Sequence, residues 1–208
     1  MSTGEALESV SIVPLVQADE PETAINIARA LAAGGLNVVE VLFRTDRATE
    51  GLRAIADELP DVVAGAGTVL TAEQAQVAID CGAKFVVSPG IDKGVVVTCQ
   101  EAGIPVYPGT YTPTDIQTAL NLGLDTVKFF PASVAGGVPA IKAMASVFRN
   151  MKFMPTGGIN ADNLADYLSI PAVVACGGSW LTPADAIASG DFDRITRLAE
   201  AAADIAQQ

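Results

Sequence analysis

A lysine lies inside an apolar, strand-like segment of this chain. Lys128 is preceded by Thr126-Val127 and followed by Phe129-Phe130-Pro131. An unpaired ammonium group is costly to bury, so packing alone rarely explains such a position. A desolvated amine can lose its proton near neutral pH and attack a ketone carbon. Lys128 is therefore a candidate for Schiff-base chemistry, and the alternative is a strand lysine whose amine reaches past its neighbours into water.

A glutamate lies in a similar apolar run. Glu40 stands between Val38-Val39 and Val41-Leu42-Phe43, and a carboxylate in that context needs a partner or a chemical task. Side chains alternate along a strand, so Glu40 and Arg44 are expected to share a face. The chain has no histidine, which leaves proton transfer to a carboxylate, an amine, a hydroxyl or water. Either Glu40 transfers protons, or it forms an ion pair with Arg44 or Lys128 that only satisfies buried charge.

Two glycine pairs follow the last two strand-like segments, in Thr156-Gly157-Gly158 and Gly177-Gly178-Ser179. In an α/β barrel, phosphate groups commonly bind after the seventh and eighth strands, on backbone N–H groups. The alternative is a pair of tight turns that need glycine for a positive φ. Two pairs at these two positions predict a phosphate site. The chain lacks the GxxxxGK[ST] motif of a P-loop.

Strand-like and amphipathic helix-like segments alternate along the whole chain. The strand-like segments are residues 11–16, 38–43, 62–67, 85–88, 104–107, 126–130, 153–156 and 172–177. This alternation predicts an α/β fold in which residues 1–208 form one (β/α)8 barrel domain, with an acidic extension over 1–10 and an outer helix over 193–208. A doubly wound sheet is the alternative, but its usual glycine-rich turn is missing after the first strand, at 17–21.

The charge of the chain limits its partners. Twelve basic and 24 acidic residues give a net charge of −12, which would repel nucleic acid and acidic membrane surfaces. No apolar run reaches the about 18 residues of a membrane span, and the first residues are polar, so we expect a soluble cytoplasmic protein. Cys81, Cys99 and Cys176 are far apart and are expected to be buried thiols in a reducing compartment. Without histidine, His-ligated metal sites are excluded.

The motifs at the strand ends together resemble one family. They are VEVLFRT (39–45), GAGTVL (65–70), SPG (88–90), VKFFPA (127–132), PTGGI (155–159) and GGSWL (177–181). From about residue 12 to residue 201 the chain is similar to the 2-keto-3-deoxy-6-phosphogluconate (KDPG)/4-hydroxy-2-oxoglutarate aldolases. The resemblance implies a class I aldolase on a homotrimeric barrel, without a cofactor or a metal.

The resemblance also implies roles for individual residues. Lys128 would form the Schiff base with the substrate ketone, and Glu40 would transfer protons. The substrate-binding residues would be Arg44, Thr68, Pro89, Phe130, Thr156, Gly157, Gly158, Gly177, Gly178 and Ser179. Of these, the first three would bind the pyruvate carboxylate, Phe130 would pack at the imine, and the glycine pairs would bind the 6-phosphate. The products would be pyruvate and glyceraldehyde 3-phosphate, as in the Entner–Doudoroff pathway.

The chain departs from the family pattern at three places. Leu42-Phe43 replaces a commoner Thr-Leu, the segment 110–113 replaces a smaller turn, and Gln17 stands where many members have a basic residue. The last two changes leave open a preference for the galactonate-derived substrate. Two other functions also stay open at this point. One is a cofactor-free isomerase or epimerase with Glu40 as its base, and the other is an inactive barrel that serves as a binding module.

Overall fold

The computed structural model describes residues 10–207, so most of the extension predicted over 1–10 lies outside the described residues. The strands β1 to β8 are Ile12–Val16, Val38–Leu42, Val63–Gly67, Val86–Ser88, Val106–Thr110, Thr126–Phe129, Lys152–Pro155 and Cys176–Gly178. The described helices, α1 to α9, are Pro21–Ala33, Ala48–Glu58, Ala72–Asp80, Lys93–Glu101, Pro113–Asn121, Gly137–Val147, Leu164–Leu168, Ala184–Ser189 and Phe192–Ala206.

The eight strands form one parallel sheet that closes on itself. Each strand from β1 to β6 pairs with the next one along the chain, and β1 also pairs with β8. Parallel bridges at Phe153–Val173 and Thr156–Gly177 join β7 to β8. The predicted (β/α)8 barrel is therefore confirmed, and all strand C-termini meet at one end of it.

The alternation of side chains along each strand produces two separate apolar layers. One large cluster, which includes Val39 and Val41 of β2, packs between the strands and the helices. A smaller cluster fills the barrel interior with Val13, Val38, Phe85, Val87, Tyr107, Met154 and Ala175. Gly65 leaves room for Phe85, since a Cβ there would lie 2.4 Å from the phenyl ring. Glu40 and Lys128 are the two charged residues buried within residues 10–207.

The fifth and eighth strands begin later than the sequence predicts, and β8 covers Cys176–Gly178 rather than 172–177. The fifth strand was expected at 104–107 but is Val106–Thr110, because parallel pairing with β6 continues through Pro108-Gly109 up to Thr110. After β7, the helix α7 begins only at Leu164, four residues beyond Asn160. The side chain of Asn160 instead accepts a hydrogen bond from the backbone N–H of Asp162 (2.9 Å), and such local bonds compete with helix formation.

The segment 110–113, one of the departures from the family pattern, has a local structural role. Thr112 caps α5 and accepts a hydrogen bond from the N–H of Asp115 (3.3 Å), while the Asp115 carboxylate accepts one from the N–H of Thr112 (2.7 Å). Pro113 occupies the first helical turn. This capping box begins the helix directly after β5.

The cysteines are buried and free, as the sequence predicted. Burial raises the pKa of the Cys99 thiol to about 11 and that of the Cys176 thiol to about 12. At pH 8 we expect iodoacetamide to alkylate Cys99 about 10²-fold and Cys176 about 10³-fold more slowly in the native protein than in guanidinium, because the thiolate is the nucleophile and its fraction falls tenfold per pKa unit. Peptide mass spectrometry over time would measure this. Native labelling at the denatured rate would contradict the burial of both side chains.

Candidate active site at the C-terminal end of the barrel

Lys128 and Glu40 meet inside the barrel, although 88 residues separate them in sequence. The Lys128 Nζ atom lies 3.3 Å from Glu40 Oε1. Lys128 is 4% exposed and Glu40 is fully buried at 0%. Of the two ion pairs that the sequence left open, the structure therefore forms the one with Lys128. Glu40 Oε2 has no hydrogen-bond partner within residues 10–207, so this oxygen is available to another group.

Small residues on β3 make the position of Glu40 possible. Glu40 pairs with Gly65 in the sheet, and Gly67 is two residues further along β3. A Cβ at Gly67 would lie 2.1 Å from Glu40 Oε1, closer than any real contact. The GAG sequence of β3 therefore admits the glutamate side chain to the barrel interior. Leu42 of β2 is also buried, at 5% exposure, and lies on the same face of the strand as Glu40.

Lys128 is held by the strands on either side of it. It pairs with Gly109 of β5 and with Met154 of β7. The Thr110 hydroxyl donates a hydrogen bond to the Lys128 carbonyl oxygen (3.0 Å). The Phe130 ring centroid lies 5.2 Å from the Lys128 amine, within the range of a cation–π contact. The amine is thus fixed in a largely apolar environment, next to one carboxylate.

Arg44 and Thr68 extend from the ends of β2 and β3. Arg44 Nε donates a hydrogen bond to Thr68 Oγ1 (3.0 Å), and the other guanidinium nitrogens of Arg44 bond to no residue in the described part of the chain. Thr68 has φ 60°, the one positive φ outside glycine among residues 10–207. Such strain is common at binding sites. The pair offers a guanidinium fork and a hydroxyl to an anion.

Thr156 follows β7 and borders the two glycine loops. Its side chain is 4% exposed, and its Oγ1 atom has no hydrogen-bond partner within the described chain. Gly177 leaves room for it, since a Cβ there would lie 2.3 Å from Thr156 Oγ1. Gly157 and Gly158 have φ 96° and 79°, a region that favours glycine. These φ values are compatible with both hypotheses for this glycine pair. It either forms a tight turn or allows a ligand to approach the backbone closely.

The second glycine pair has two different roles. Gly177 borders Thr156 inside the barrel, whereas a Cβ on Gly178 would meet the Trp180 ring at 2.8 Å. Gly178 is therefore required for packing against Trp180. Ser179 comes directly after β8, on the same end of the barrel.

The loop after β4 approaches the site from the other side. Ser88 Oγ donates to the carbonyl of Gly90 (2.7 Å) and so shapes the turn at Pro89. Gly109 lies so close to this turn that a Cβ would be 2.0 Å from the Pro89 carbonyl oxygen. Gln17 follows β1 and is exposed. Apart from Glu40 in the middle of β2, the predicted site residues lie near or just after the C-terminal ends of the strands. The space that Gly67 and Gly109 leave for their neighbours was not predicted.

Neither a metal-binding cluster nor a membrane-spanning helix occurs within residues 10–207. No group of three or more His, Cys, Asp or Glu side chains there could hold a metal ion. None of the helices in this range has the length and apolar character needed to cross a membrane.

Known proteins are similar to this chain in sequence and in architecture. The profile of the family described as KDPG and KHG aldolase matches residues 4–198. A 2-dehydro-3-deoxy-phosphogluconate aldolase of Treponema pallidum is 49% identical over 196 residues, which cover 94% of this chain and 93% of that protein. A KHG/KDPG aldolase of Escherichia coli K12 is 43% identical over 201 residues, 97% of this chain and 94% of the other. A KDPG aldolase of Legionella pneumophila, solved with pyruvate captured at low pH as a covalent carbinolamine, superposes with a TM-score of 0.93 at 38% identity, over 97% of this chain and 98% of that one.

Proposed function

This chain belongs to the KDPG and KHG aldolase family, and from that premise we propose that it cleaves KDPG into pyruvate and glyceraldehyde 3-phosphate through a Schiff base on Lys128. It is a carbon–carbon lyase. The observation that carries the assignment of the nucleophile is the buried Lys128 amine, 3.3 Å from a fully buried carboxylate at the open end of the barrel. The covalent pyruvate adduct of the similar Legionella protein supports it.

The reaction begins with attack of the Lys128 amine on the C2 ketone. The nucleophile must be the neutral amine, and Glu40 Oε1, 3.3 Å away, would first take a proton from the Lys128 ammonium group. After the attack, a second proton would pass from the nitrogen to the former ketone oxygen, which gives the neutral carbinolamine. The resulting carbinolamine loses its hydroxyl group as water, with the proton returned by Glu40, directly or through a water molecule. A protonated imine remains on Lys128, and Phe130 packs beside it.

Cleavage of the C3–C4 bond follows from the imine. Glu40 removes the proton of the C4 hydroxyl, C4 becomes the aldehyde carbon of glyceraldehyde 3-phosphate, and the electron pair of the C3–C4 bond moves into the imine. The pyruvyl half is then an enamine. Protonation at C3 and addition of water to the imine release pyruvate and restore the free amine. Each of these steps needs one positioned proton carrier, which the Lys128–Glu40 geometry supplies.

Two anion sites would hold the substrate in place. Arg44 and Thr68 would bind the carboxylate, because the guanidinium group presents a planar fork next to a hydroxyl donor. The 6-phosphate would bind at Gly157, Gly158 and Ser179, where the backbone can approach it closely. The chain's net charge of −12 provides no general attraction for an anion, so these local sites must supply it.

The Thr156 hydroxyl, which has no hydrogen-bond partner within residues 10–207, and the exposed Gln17 would contact the distal part of the substrate. They would affect the preference between the gluconate- and galactonate-derived phosphates and 4-hydroxy-2-oxoglutarate. The direct test is a steady-state comparison of kcat/KM for these three substrates, together with borohydride trapping of pyruvate. We expect the gluconate-derived phosphate to be cleaved with the highest kcat/KM. Failure to cleave any of the three, without a trapped adduct, would refute the proposed function.

The phosphate site is tested by Gly158→Ala. Gly158 has φ 79°, and a new Cβ would lie 2.2 Å from Ser133 Oγ, so the loop must shift away from a bound phosphate. We expect KM for the sugar phosphate to rise about tenfold to 100-fold, the value of lost charge-assisted hydrogen bonds. Pyruvate C3 proton exchange, which relies on Lys128 and Arg44, should change little.

Gly123→Ala is the matched control for this variant. Gly123 has φ 78° and open space around its Cα atom, so it carries the same backbone strain without the contact at the site. An equal rise of KM in both variants, or equal loss of pyruvate exchange in Gly158→Ala, would contradict the phosphate assignment.

The resemblance to the family further supports a homotrimer in the cytoplasm. Three free, buried cysteines fit a reducing compartment, and the strongly acidic surface disfavours nucleic acid as a partner. Sedimentation equilibrium of the purified protein would measure the number of subunits.

A further inference from the structure

The glycine pair after β7 depends on its neighbours for a fixed conformation. Gly157 and Gly158 have φ 96° and 79°, and a glycine has no side chain that could restrict its backbone. Donors from other segments instead bond to successive carbonyl oxygens of this loop. The N–H of Ala132 donates to the Thr156 carbonyl (2.8 Å). The N–H of Ser133 donates to the next carbonyl, that of Gly157 (3.0 Å). The third carbonyl, that of Gly158, accepts its hydrogen bond from a side chain.

That side chain belongs to Asn163, the residue just before α7. Its Nδ2 atom donates to the Gly158 carbonyl oxygen (3.0 Å), and its Oδ1 atom accepts from the N–H of Asn160 (2.9 Å). Between these two contacts, the side chain of Ile159 is buried in the layer under the helices. The segment 158–160 is therefore held at three points, and Asn163 supplies two of them.

The bonds to the carbonyl oxygens determine where the N–H groups of the loop point. In a planar trans peptide, the carbonyl oxygen and the amide hydrogen lie on opposite sides of the C–N bond. The N–H of Gly158 therefore points away from Ser133, and the N–H of Ile159 points away from Asn163. Neither of these N–H groups donates to a residue within 10–207. Both are available to an anionic group of a ligand.

We propose that Asn163 is a positioning residue for the 6-phosphate. It fixes the peptide between Gly158 and Ile159, so that the N–H of Ile159 donates to the phosphate beside the N–H of Gly158. This inference rests on the phosphate site of the proposed function. Without the bond from Asn163 this peptide can rotate, because glycine tolerates a wide range of backbone angles. The loops 156–163 and 179–183 contain no lysine or arginine, so the affinity for phosphate depends on how the N–H groups are oriented.

Asn163→Asp tests this role, with Asn160→Asp as the matched control. The carboxylate introduced at 163 can still accept from the N–H of Asn160, but it cannot donate to Gly158, and its charge repels the carbonyl oxygen there. Within residues 10–207 the side chain of Asn160 only accepts a hydrogen bond, from the N–H of Asp162. Asn160→Asp therefore adds the same charge to the same loop and keeps its bond.

We expect a difference between the two variants in phosphate binding alone. KM for KDPG and the inhibition constant of inorganic phosphate should rise about tenfold more in Asn163→Asp than in Asn160→Asp, the value of one charge-assisted hydrogen bond. In both variants kcat should stay within about twofold of the parent, because the lost interaction is made equally in the ground state and in the transition state. Pyruvate C3 proton exchange should also be unchanged, since pyruvate has no phosphate.

Three results would overturn the role of Asn163. Equal changes in Asn163→Asp and Asn160→Asp would assign the effect to the added charge. A fall in pyruvate exchange that matches the rise in KM would indicate a general structural role. An unchanged KM in Asn163→Asp, together with a raised KM in Gly158→Ala, would overturn the role and leave the phosphate site standing. If KM is unchanged in both, the phosphate site fails as well, but cleavage of KDPG by the parent would still support the aldolase function.

Failure of the proposed function is distinguishable from failure of this inference. If the parent cleaves no substrate, a phosphorus NMR titration with inorganic phosphate replaces the kinetic measurement. Weaker binding by Asn163→Asp than by Asn160→Asp would support the positioning role, and equal binding would overturn it. If circular dichroism shows that Asn163→Asp does not fold, Asn163→Ala and its control Asn160→Ala undergo the same measurements, with the same outcomes deciding.

Discussion

Lys128→Ala is expected to abolish the cleavage of KDPG, and Lys128→Arg is expected to do no better. The alanine variant has no amine to attack C2, and a guanidinium group cannot form the imine. Arginine preserves the positive charge beside Glu40. An inactive Lys128→Arg variant would therefore show that the reaction needs the covalent bond and not only the positive charge. The measurements are steady-state cleavage, coupled to the appearance of pyruvate, and the mass of the protein after borohydride treatment with pyruvate. Neither variant should gain the mass of a reduced pyruvate adduct.

Loss of folding must be separated from loss of chemistry in these variants. Removal of Lys128 leaves the fully buried Glu40 without its partner, and an uncompensated buried charge costs about 3–5 kcal/mol. The double variant Lys128→Met with Glu40→Gln removes both charges and is expected to regain stability without regaining activity. Lys84→Ala, which changes an exposed lysine just before β4, should keep the parental rate. Activity within tenfold of the parent in Lys128→Ala or Lys128→Arg would refute the Schiff-base assignment.

The order of the strands could be predicted because each one is a short apolar run between glycine-bounded helices. β6 begins at Thr126 and β2 at Val38, as the sequence indicated. The errors occurred where local signals and long-range pairing disagree. Pro108-Gly109 has the composition of a turn, yet its neighbours on β4 and β6 hold it in the sheet. No pattern within β5 itself reveals that pairing.

The site could be predicted only in part. Sequence alternation indicated that Glu40 and Arg44 share a face of β2, but it says nothing about distances across the barrel. Only the closed barrel brings Glu40 Oε1 to a distance of 3.3 Å from Lys128 Nζ. The function of Gly67 was also hidden, because a glycine in a strand has several explanations, and the contact with Glu40 becomes visible only when the barrel is assembled.

Glu40→Gln is expected to lower kcat by about 10²- to 10⁴-fold, the usual contribution of a positioned acid/base group. The amide has nearly the shape of the carboxylate and can still bond to the Lys128 amine, so the barrel interior should remain packed. It cannot accept the proton of the C4 hydroxyl. Since the chain has no histidine, no imidazole can replace the lost base. Pyruvate should still be trapped on Lys128, although more slowly than in the parent.

The comparison with other variants tests whether Glu40 acts chemically or only as a counter-ion. Glu40→Asp keeps the charge but withdraws it from Lys128, and it should retain more activity than Glu40→Gln if a base is required. Gly67→Ala keeps the carboxylate and displaces it, because the new Cβ would lie 2.1 Å from Oε1. We therefore expect its kcat to fall between those of the parent and Glu40→Gln. An unchanged kcat in Glu40→Gln would mean that the carboxylate only balances the charge of Lys128. Buried carboxylate oxygens are usually hydrogen-bonded, and Oε2 has no partner within residues 10–207, which favours a role in binding the reacting hydroxyl over that of a counter-ion alone.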